Sequence, residues 1–200
     1  MDELRKIYAE RLDVALAPIA RLIEDDLKNS LSSLSHIDRI AARPKSMTSF
    51  LNKAAKIEDG TQKYTDPINQ IQDQIGARII TFYLDDIEPI TAGIMKYYRR
   101  IEEKAIIPES EKEFGYFGKH FILVLHPELH PPGVDKKLIP KFFELQIKTL
   151  FQHAFSEASH DLAYKPSIVL TKDQKRKIAF TAAQGWGADM IFNELKTELT

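Results

Sequence analysis

The stretch FELQIKT, residues 143–149, alternates polar and apolar side chains as a β-strand does. Its polar residues Glu144, Gln146 and Lys148 fall on one face, and its aliphatic residues fall on the other. This pattern is typical of an edge strand wetted on one face, and also of a strand that lines an active-site cleft. The rest of the chain has to decide between the two.

The bulk composition indicates an ordinary globular domain. The chain has 200 residues, of which 44% are hydrophobic and 28% are charged, and its formal net charge is -1. The absence of cysteine excludes disulfides and cysteine-ligated metal sites. The sequence shows neither a leader-like start nor an 18-residue apolar run, so we expect a cytoplasmic protein that does not span a membrane.

Apolar spacing and punctuating residues predict a single α/β or α+β domain with helices at both ends. Pro18 is expected to kink or divide the first helix. The predicted helices are residues 3–34, 46–55, a short one opening at 66–67, 85–100, 149–165 and 171–199. The predicted strands are residues 77–84, 119–126 and 141–148, and a proline-rich loop precedes the last one.

The first candidate motif is RPKSMTSFLNK, residues 43–53. Lys45, Ser49 and Lys53 follow one another at intervals of four and would share one helical face, with Arg43 just before them. A helix N-terminus with converging cations suits a triphosphate, because the helix dipole and the charges both favour anions. The alternative is a solvated basic helix start.

A second motif, DQIGARII, places Asp73 just before a predicted strand. Gly76 would allow a close backbone approach, and Arg78 is a cation inside an apolar run. A buried charge without a partner is costly, so Arg78 needs either a phosphate ligand or a salt bridge to Asp73 or Glu144.

A third motif, FGYFGKHF, puts Tyr116 and His120 at the entry to a strand. Such a tyrosine could stack on a nucleobase or could simply be a half-buried core residue.

The helix that follows FELQIKT carries His153, Glu157 and His160. Two histidines with a glutamate between them raise the possibility of zinc. The spacing is not that of HExxH, however, and no third ligand is evident, so the pattern favours a helix without zinc.

The order of these motifs closely resembles the RelA/SpoT synthetase family, over about residues 40 to 166. The blocks are Arg-x-Lys-x3-Ser-x3-Lys, Asp-x2-Gly-x-Arg, Gly-Tyr-x3-His, Glu-x-Gln-Ile-Lys-Thr and His-x6-His-x3-Tyr-Lys. Members of this family move a pyrophosphoryl group from ATP to the 3′-hydroxyl of a guanine nucleotide. The resemblance implies a nucleotidyltransferase-like mixed sheet flanked by helices. Residues 1–40 would form an N-terminal helical extension, residues 41–166 the catalytic core and residues 167–200 a C-terminal helix.

The resemblance also implies an ATP side and a metal site. Asp73 and Glu144 would bind Mg²⁺, and Glu144 would also take the proton of the attacking 3′-hydroxyl. The residues expected to hold the ATP phosphates are Arg43, Lys45, Ser49, Lys53 and Arg78.

On the acceptor side, Tyr116 would stack on the base, and Lys112, His120 and Gln146 would help to orient the acceptor or its phosphates. Three further residues are candidates for a supporting role, namely Lys148 near the rim of the cleft, His153 and His160.

The acceptor loop departs from the family pattern. Phe114 replaces an asparagine, and Phe117 and Gly118 replace an Arg-Ser pair. Lys148 stands where the family has arginine, which keeps the charge and loses the bidentate fork. About forty residues precede the first motif, too few for the hydrolase domain of long family members, so we expect a short, synthetase-only member.

These departures leave the acceptor open. GDP or GTP would make the chain an alarmone synthetase producing (p)ppGpp. The 3′-terminal adenosine of tRNA would make it a toxin with an antitoxin protein as partner, and an adenine nucleotide is a further alternative. A nucleotide-binding regulator without activity is the non-enzymatic alternative. The amphipathic terminal helices could support a homo-oligomer.

Basic clusters bear on the tRNA alternative. They could contact tRNA phosphates, or they could be ordinary solvated surface. The clusters are Arg99, Arg100 and Lys104; Lys136, Lys137 and Lys141; and Lys172, Lys175, Arg176 and Lys177.

Overall fold

The fold centres on a five-stranded sheet. The computed structural model describes residues 2–105, 115–116, 118–163 and 170–199. The sheet has the order β1-β4-β7-β6-β5, and its neighbours are antiparallel except for the parallel pair β4 and β7. Its strands are β1 (Ile37–Pro44), β4 (Ile75–Thr81), β5 (Arg100–Ala105), β6 (Lys119–Val124) and β7 (Phe142–Thr149), and a small hairpin pairs β2 (Ile57–Glu58) with β3 (Thr61–Gln62).

Helices flank this sheet and extend it at both ends, which confirms the predicted mixed α+β class. A π-helical turn at Leu12–Leu16 separates the first two helices immediately before Pro18, so the first helix is divided as predicted. Within the described residues, no helix combines the length and apolarity needed to cross a membrane. The helices are α1 (Asp2–Arg11), α2 (Ala17–Ser30), α3 (Met47–Ala54), α4 (Pro67–Gln70), α5 (Ile87–Met95), α6 (Leu150–Ala163) and α7 (Lys172–Leu199).

The main core lies on the apolar face of β7. Leu145 and Ile147 are fully buried, and they belong to the same apolar cluster as Ile23 of α2 and Ile94 of α5. The alternation predicted for residues 143–149 is therefore confirmed up to Ile147. Because this face is covered, the polar face of β7 is the side on which a cleft can form.

Both edge strands were missed by the sequence prediction. β1 carries charged and small residues, and β5 reads RIEEKA, so neither shows the apolar run of a central strand. The helix predicted for residues 85–100 was too long. It ends at Met95, and Arg100 already belongs to β5.

Candidate active site

Two lysines converge on Asp73 beside the start of β4. Lys45 Nζ lies 3.0 Å and Lys53 Nζ 2.8 Å from Asp73 Oδ2. Ser46 caps α3 by accepting a hydrogen bond from the Ser49 backbone N–H at 3.3 Å, which fixes the helix N-terminus between the two lysines. The structure thus brings Lys45 and Lys53 of the first motif to Asp73 of the second, and Ser49 lies in the first turn of the helix that starts between the two lysines.

The electrostatics keep Asp73 charged. Burial raises the pKa of its carboxyl, but the hydrogen bond from Lys53 and the charge of Lys45 outweigh burial, and the net pKa is lowered. The second carboxylate oxygen, Oδ1, is buried and has no hydrogen-bond partner. Since buried polar atoms in proteins are rarely left without a partner, this oxygen is available to a ligand.

Glu144 stands on the neighbouring strand. It pairs in register with Gly76 of β4, and Gly76 in turn pairs with Arg43 of β1, so these residues share one face of the sheet. Gln146 Nε2 donates a hydrogen bond to Glu144 Oε2 at 2.9 Å, and His120 Nδ1 lies 3.6 Å from Oε1. The polar face of β7 therefore forms a cluster around one carboxylate.

The pKa of Glu144 also reflects competing effects. Burial and the negative charge of Asp73 raise this pKa. The hydrogen bonds from His120 and Gln146 lower it by more, so the net pKa is lowered. His120 Nε2 and Gln146 Oε1 are buried and have no hydrogen-bond partner. Together with Asp73 Oδ1, these partnerless atoms make this face a candidate ligand site, and the central position of β7 in the sheet excludes an edge strand.

Arg78 is paired differently from the expectation. Its Nη1 lies 2.8 Å from Glu157 Oε1 of α6, so neither Asp73 nor Glu144 is its salt-bridge partner. His153, on the same helix, has its pKa lowered by burial and by the charge of Arg78. His160 is exposed on α6.

The expectation that Lys148 lies at the rim was wrong. Its side chain is only 4% exposed, and burial, followed by the charge of Arg78, lowers its pKa to about 8. Gly118 packs directly on it: a Cβ at Gly118 would lie 2.4 Å from Lys148 Cγ and 2.3 Å from the carbonyl oxygen of Ile147. The departures from the family pattern at residues 118 and 148 therefore meet in space.

Tyr116 is covered by the C-terminal helix. The ring is 6% exposed, and a Cβ at Gly185 of α7 would lie 3.4 Å from it. Its hydroxyl donates a hydrogen bond to Asp189 of α7, as does the hydroxyl of Thr149. Stacking on a base would require this ring to leave α7, so that role stays a prediction. Lys112 lies outside the described residues.

Sequence reasoning missed Asp189, and it did not identify Glu157 as the partner of Arg78. Asp189 is fully buried, and burial raises its pKa, although the hydroxyls of Thr149 and Tyr116 act in the opposite direction. An acidic residue beside the regularly spaced Ile178, Ala182 and Trp186 was the signal available for it. The sequence gave no signal for the pairing of Glu157 with Arg78, because the two residues belong to different elements.

A metal ion at this site would be held by oxygen ligands. Within the described residues, no group of three or more His, Asp or Glu side chains is arranged to hold an ion by itself. Asp73 and Glu144 offer two carboxylates, and Asp73 Oδ1 has no other partner. This set fits Mg²⁺, which proteins commonly hold through one or two carboxylates together with substrate phosphates.

Comparison with known proteins gives one family and one fold. Residues 42–168 match the family described as "Region found in RelA / SpoT proteins". A comparison with curated protein sequences gave no match.

Solved structures share the fold over nearly the whole chain. Small alarmone synthetase 1 from Bacillus subtilis superposes with a TM-score of 0.72 at 21% identity, covering 91% of this chain and 94% of that one. The same synthetase bound to its product pppGpp gives 0.71 at 21% identity, with 90% and 92% covered. A GTP pyrophosphokinase family protein from Streptococcus pneumoniae gives 0.70 at 20% identity, with 90% and 88% covered.

Proposed function

The chain belongs to the RelA/SpoT family, and we propose on that basis that it is an ATP-dependent pyrophosphokinase. It transfers the β,γ-pyrophosphoryl group of ATP to the 3′-hydroxyl of GDP or GTP and so makes (p)ppGpp. One observation carries the proposal: two ionised carboxylates from distant segments, Asp73 and Glu144, lie close enough for their charges to interact, and two lysines converge on the first.

The ATP phosphates bind at the N-terminus of α3. Lys45, Ser49 and Lys53 supply two charges and a hydroxyl there, and the convergence of both lysines on Asp73 supports a single binding point for anion and metal. Arg43 stands in register beside Gly76 on the same face. Asp73 and Glu144 would hold Mg²⁺, which would neutralise charge on the phosphates.

The acceptor oxygen reacts next to Glu144. The 3′-oxygen attacks the β-phosphorus of ATP; the new oxygen–phosphorus bond forms as the bond to the oxygen bridging the α- and β-phosphorus atoms breaks, and AMP leaves. Glu144 takes the hydroxyl proton, and its lowered pKa keeps it ionised and ready to do so at neutral pH. Holding both substrates in line lowers the activation barrier by about 7–11 kcal/mol.

The 3′-terminal adenosine of tRNA is the second candidate acceptor. The departures of the acceptor loop from the family pattern, at Phe114, Phe117 and Gly118, support this alternative. Exposed lysines at 136, 137 and 141 and at the start of α7 offer positive charge for a phosphodiester backbone. An acceptor of this kind would make the protein a toxin with an antitoxin partner.

Location and assembly follow from the same proposal. The substrates ATP and GTP, or tRNA, are cytoplasmic, so we expect the protein there. Phe180, Ile191 and Leu195 are exposed on α7 and would support self-association through this helix or binding of an antitoxin. Sedimentation at several protein concentrations measures self-association.

Transfer of label tests the function. ATP labelled at its β- and γ-phosphates is supplied with Mg²⁺ and, separately, with GDP, GTP, ATP or deacylated tRNA. Label on GDP or GTP supports the alarmone synthetase, and label on tRNA alone supports the second candidate. Label on ATP supports an adenine-nucleotide acceptor, and transfer to none favours a nucleotide-binding regulator.

Two variants test the assigned chemistry. Glu144→Gln keeps the shape of the side chain and removes the base, so we expect transfer to fall by about 100-fold or more. Glu198→Gln makes the same change at an exposed position on α7 and should leave transfer unchanged. Full activity of Glu144→Gln would contradict the mechanism.

A further inference from the structure

A cavity of about 830 Å³ has a lining that includes none of the residues assigned above to ATP, Mg²⁺ or the acceptor nucleotide. It is lined by residues of α4, by the end of α1 and by the connection that leads into β7. Its wall includes Gln72 and Gln74, on either side of Asp73, and Phe142, two residues before Glu144. The cavity therefore borders the two chain segments that carry Asp73 and Glu144.

Arg11 is the notable group in the cavity wall. It is 2% exposed at the end of α1, and its Nη1 donates to the carbonyl oxygen of Ile68 at 3.3 Å. Its Nε is buried and has no hydrogen-bond partner, and within the described residues no carboxylate forms an ion pair with it. Burial lowers the pKa of the guanidinium, although the charge of Asp66 acts in the opposite direction, and arginine remains charged at neutral pH. A buried guanidinium that forms no direct ion pair, and whose Nε has no partner, favours an anion bound beside it.

The rest of the cavity lining is also positive. Lys136, Lys137 and Lys141 line it, and none of its lining residues is acidic. The nearby Asp135 accepts a hydrogen bond from the backbone N–H of Lys137 at 2.9 Å, so its carboxylate is engaged outside the lining. Phe142 and other apolar residues complete the wall. The volume and this mixture of apolar surface with a few polar groups match small-molecule sites, which span about 300–1,000 Å³.

We propose that this cavity binds the phosphate groups of a free nucleotide, at a site separate from the triphosphate site at α3. A nucleotide fits better than an RNA backbone, because the Arg11 guanidinium is buried and is reached only by a group that enters the cavity. A phosphodiester backbone on the surface would contact the exposed lysines alone. The inference does not depend on the proposed reaction.

Thermal unfolding with inorganic pyrophosphate tests the site in the full chain. Lys53→Ala first weakens the α3 site. On this background pyrophosphate should still raise Tm, by about 5–10 °C at a concentration a hundredfold above Kd. Adding Arg11→Met should remove the rise, whereas adding Lys6→Ala, an exposed cation on the same helix outside the cavity, should keep it.

Further outcomes decide the inference. No rise in Lys53→Ala, or an undiminished rise after adding Arg11→Met, overturns the site. Without added anion, Arg11→Met should be at least as stable as the parent, because it removes a buried charge. If that variant does not fold, Lys136→Ala with Lys141→Ala replaces it, since both lysines are exposed.

The same variants separate the two sources of phosphate. GDP should stabilise the parent in a manner that depends on Arg11, and a short single-stranded RNA should not. If stabilisation by RNA depends on Arg11 while GDP has no effect, the cavity binds RNA phosphate and the nucleotide assignment is wrong.

Discussion

Replacing Lys148 by methionine should stabilise the protein at neutral pH. Burial, followed by the charge of Arg78, lowers the pKa of this lysine from 10.5 to about 8, which corresponds to about 3 kcal/mol at 25 °C. Below pH 8 the lysine is protonated in both the folded and unfolded states, so the folded state carries the whole cost of the buried charge. Methionine has a similar length and no charge, so Lys148→Met should raise the free energy of unfolding by about 3 kcal/mol at pH 7.

The advantage should disappear as the pH rises. Between pH 8 and about 10.5 the unfolded state of the wild type binds more protons at this residue than the folded state does, so its stability increases with pH. The variant lacks this increase, and the two curves should converge near pH 10.5. Urea unfolding at pH 7, 8, 9 and 10 measures the difference directly.

Lys96→Met serves as the control, because Lys96 is exposed at the end of α5. It should change stability little, and equally at every pH. If Lys148→Met is less stable than the wild type at pH 7, or if the difference is the same at pH 7 and pH 10, the argument from burial is refuted.

Glycine and aspartate positions give further predictions. Gly118→Ala should lower the free energy of unfolding by about 1–3 kcal/mol, because the new Cβ would lie 2.3 Å from a backbone oxygen. Gly187→Ala should raise the free energy of unfolding by about 0.5–1 kcal/mol in the same urea assay, because Gly187 lies inside α7 and its Cβ would have no atom within 4 Å. Gly76→Ala also has open space around its Cβ and should leave the free energy of unfolding unchanged. It should slow pyrophosphoryl transfer about 10- to 100-fold if the substrate approaches this strand closely. Unchanged transfer would contradict that close approach. Asp189→Ala leaves two buried hydroxyls without an acceptor, so the free energy of unfolding should fall by about 2 kcal/mol or more and Tm by several degrees. The control Asp173→Ala, at an exposed position on the same helix, should have little effect on Tm.

The central part of the fold could be predicted from local patterns. The strands at 75–81, 119–124 and 142–149 are rich in β-forming residues, and their apolar faces are buried in the core. The edge strands could not be predicted in this way, because an edge strand is stabilised by a neighbour on one side only and tolerates charged residues. The parallel pairing of β4 with β7 joins segments that are far apart in the sequence, so the local pattern of neither strand predicts it.

The candidate site was predictable where function imposes a residue type. Asp73, Glu144, Lys45 and Lys53 belong to motifs, and the structure brings Asp73 and the lysines together. The partner of Arg78 was not predictable, because it depends on how α6 is placed over the sheet. The burial of Lys148 and the coverage of Tyr116 likewise depend on packing against other segments.

The position of β7 in the sheet sets a condition for synthesis on the ribosome. It lies between β4 and β6, although it is the last of these strands in the chain. Until residue 149 has left the exit tunnel, the two earlier parts of the sheet have no strand to join them, and Glu144 cannot stand beside Gly76. A nascent chain that stops before this point lacks the assembled site, so the reaction proposed here can begin only when synthesis of the sheet is complete.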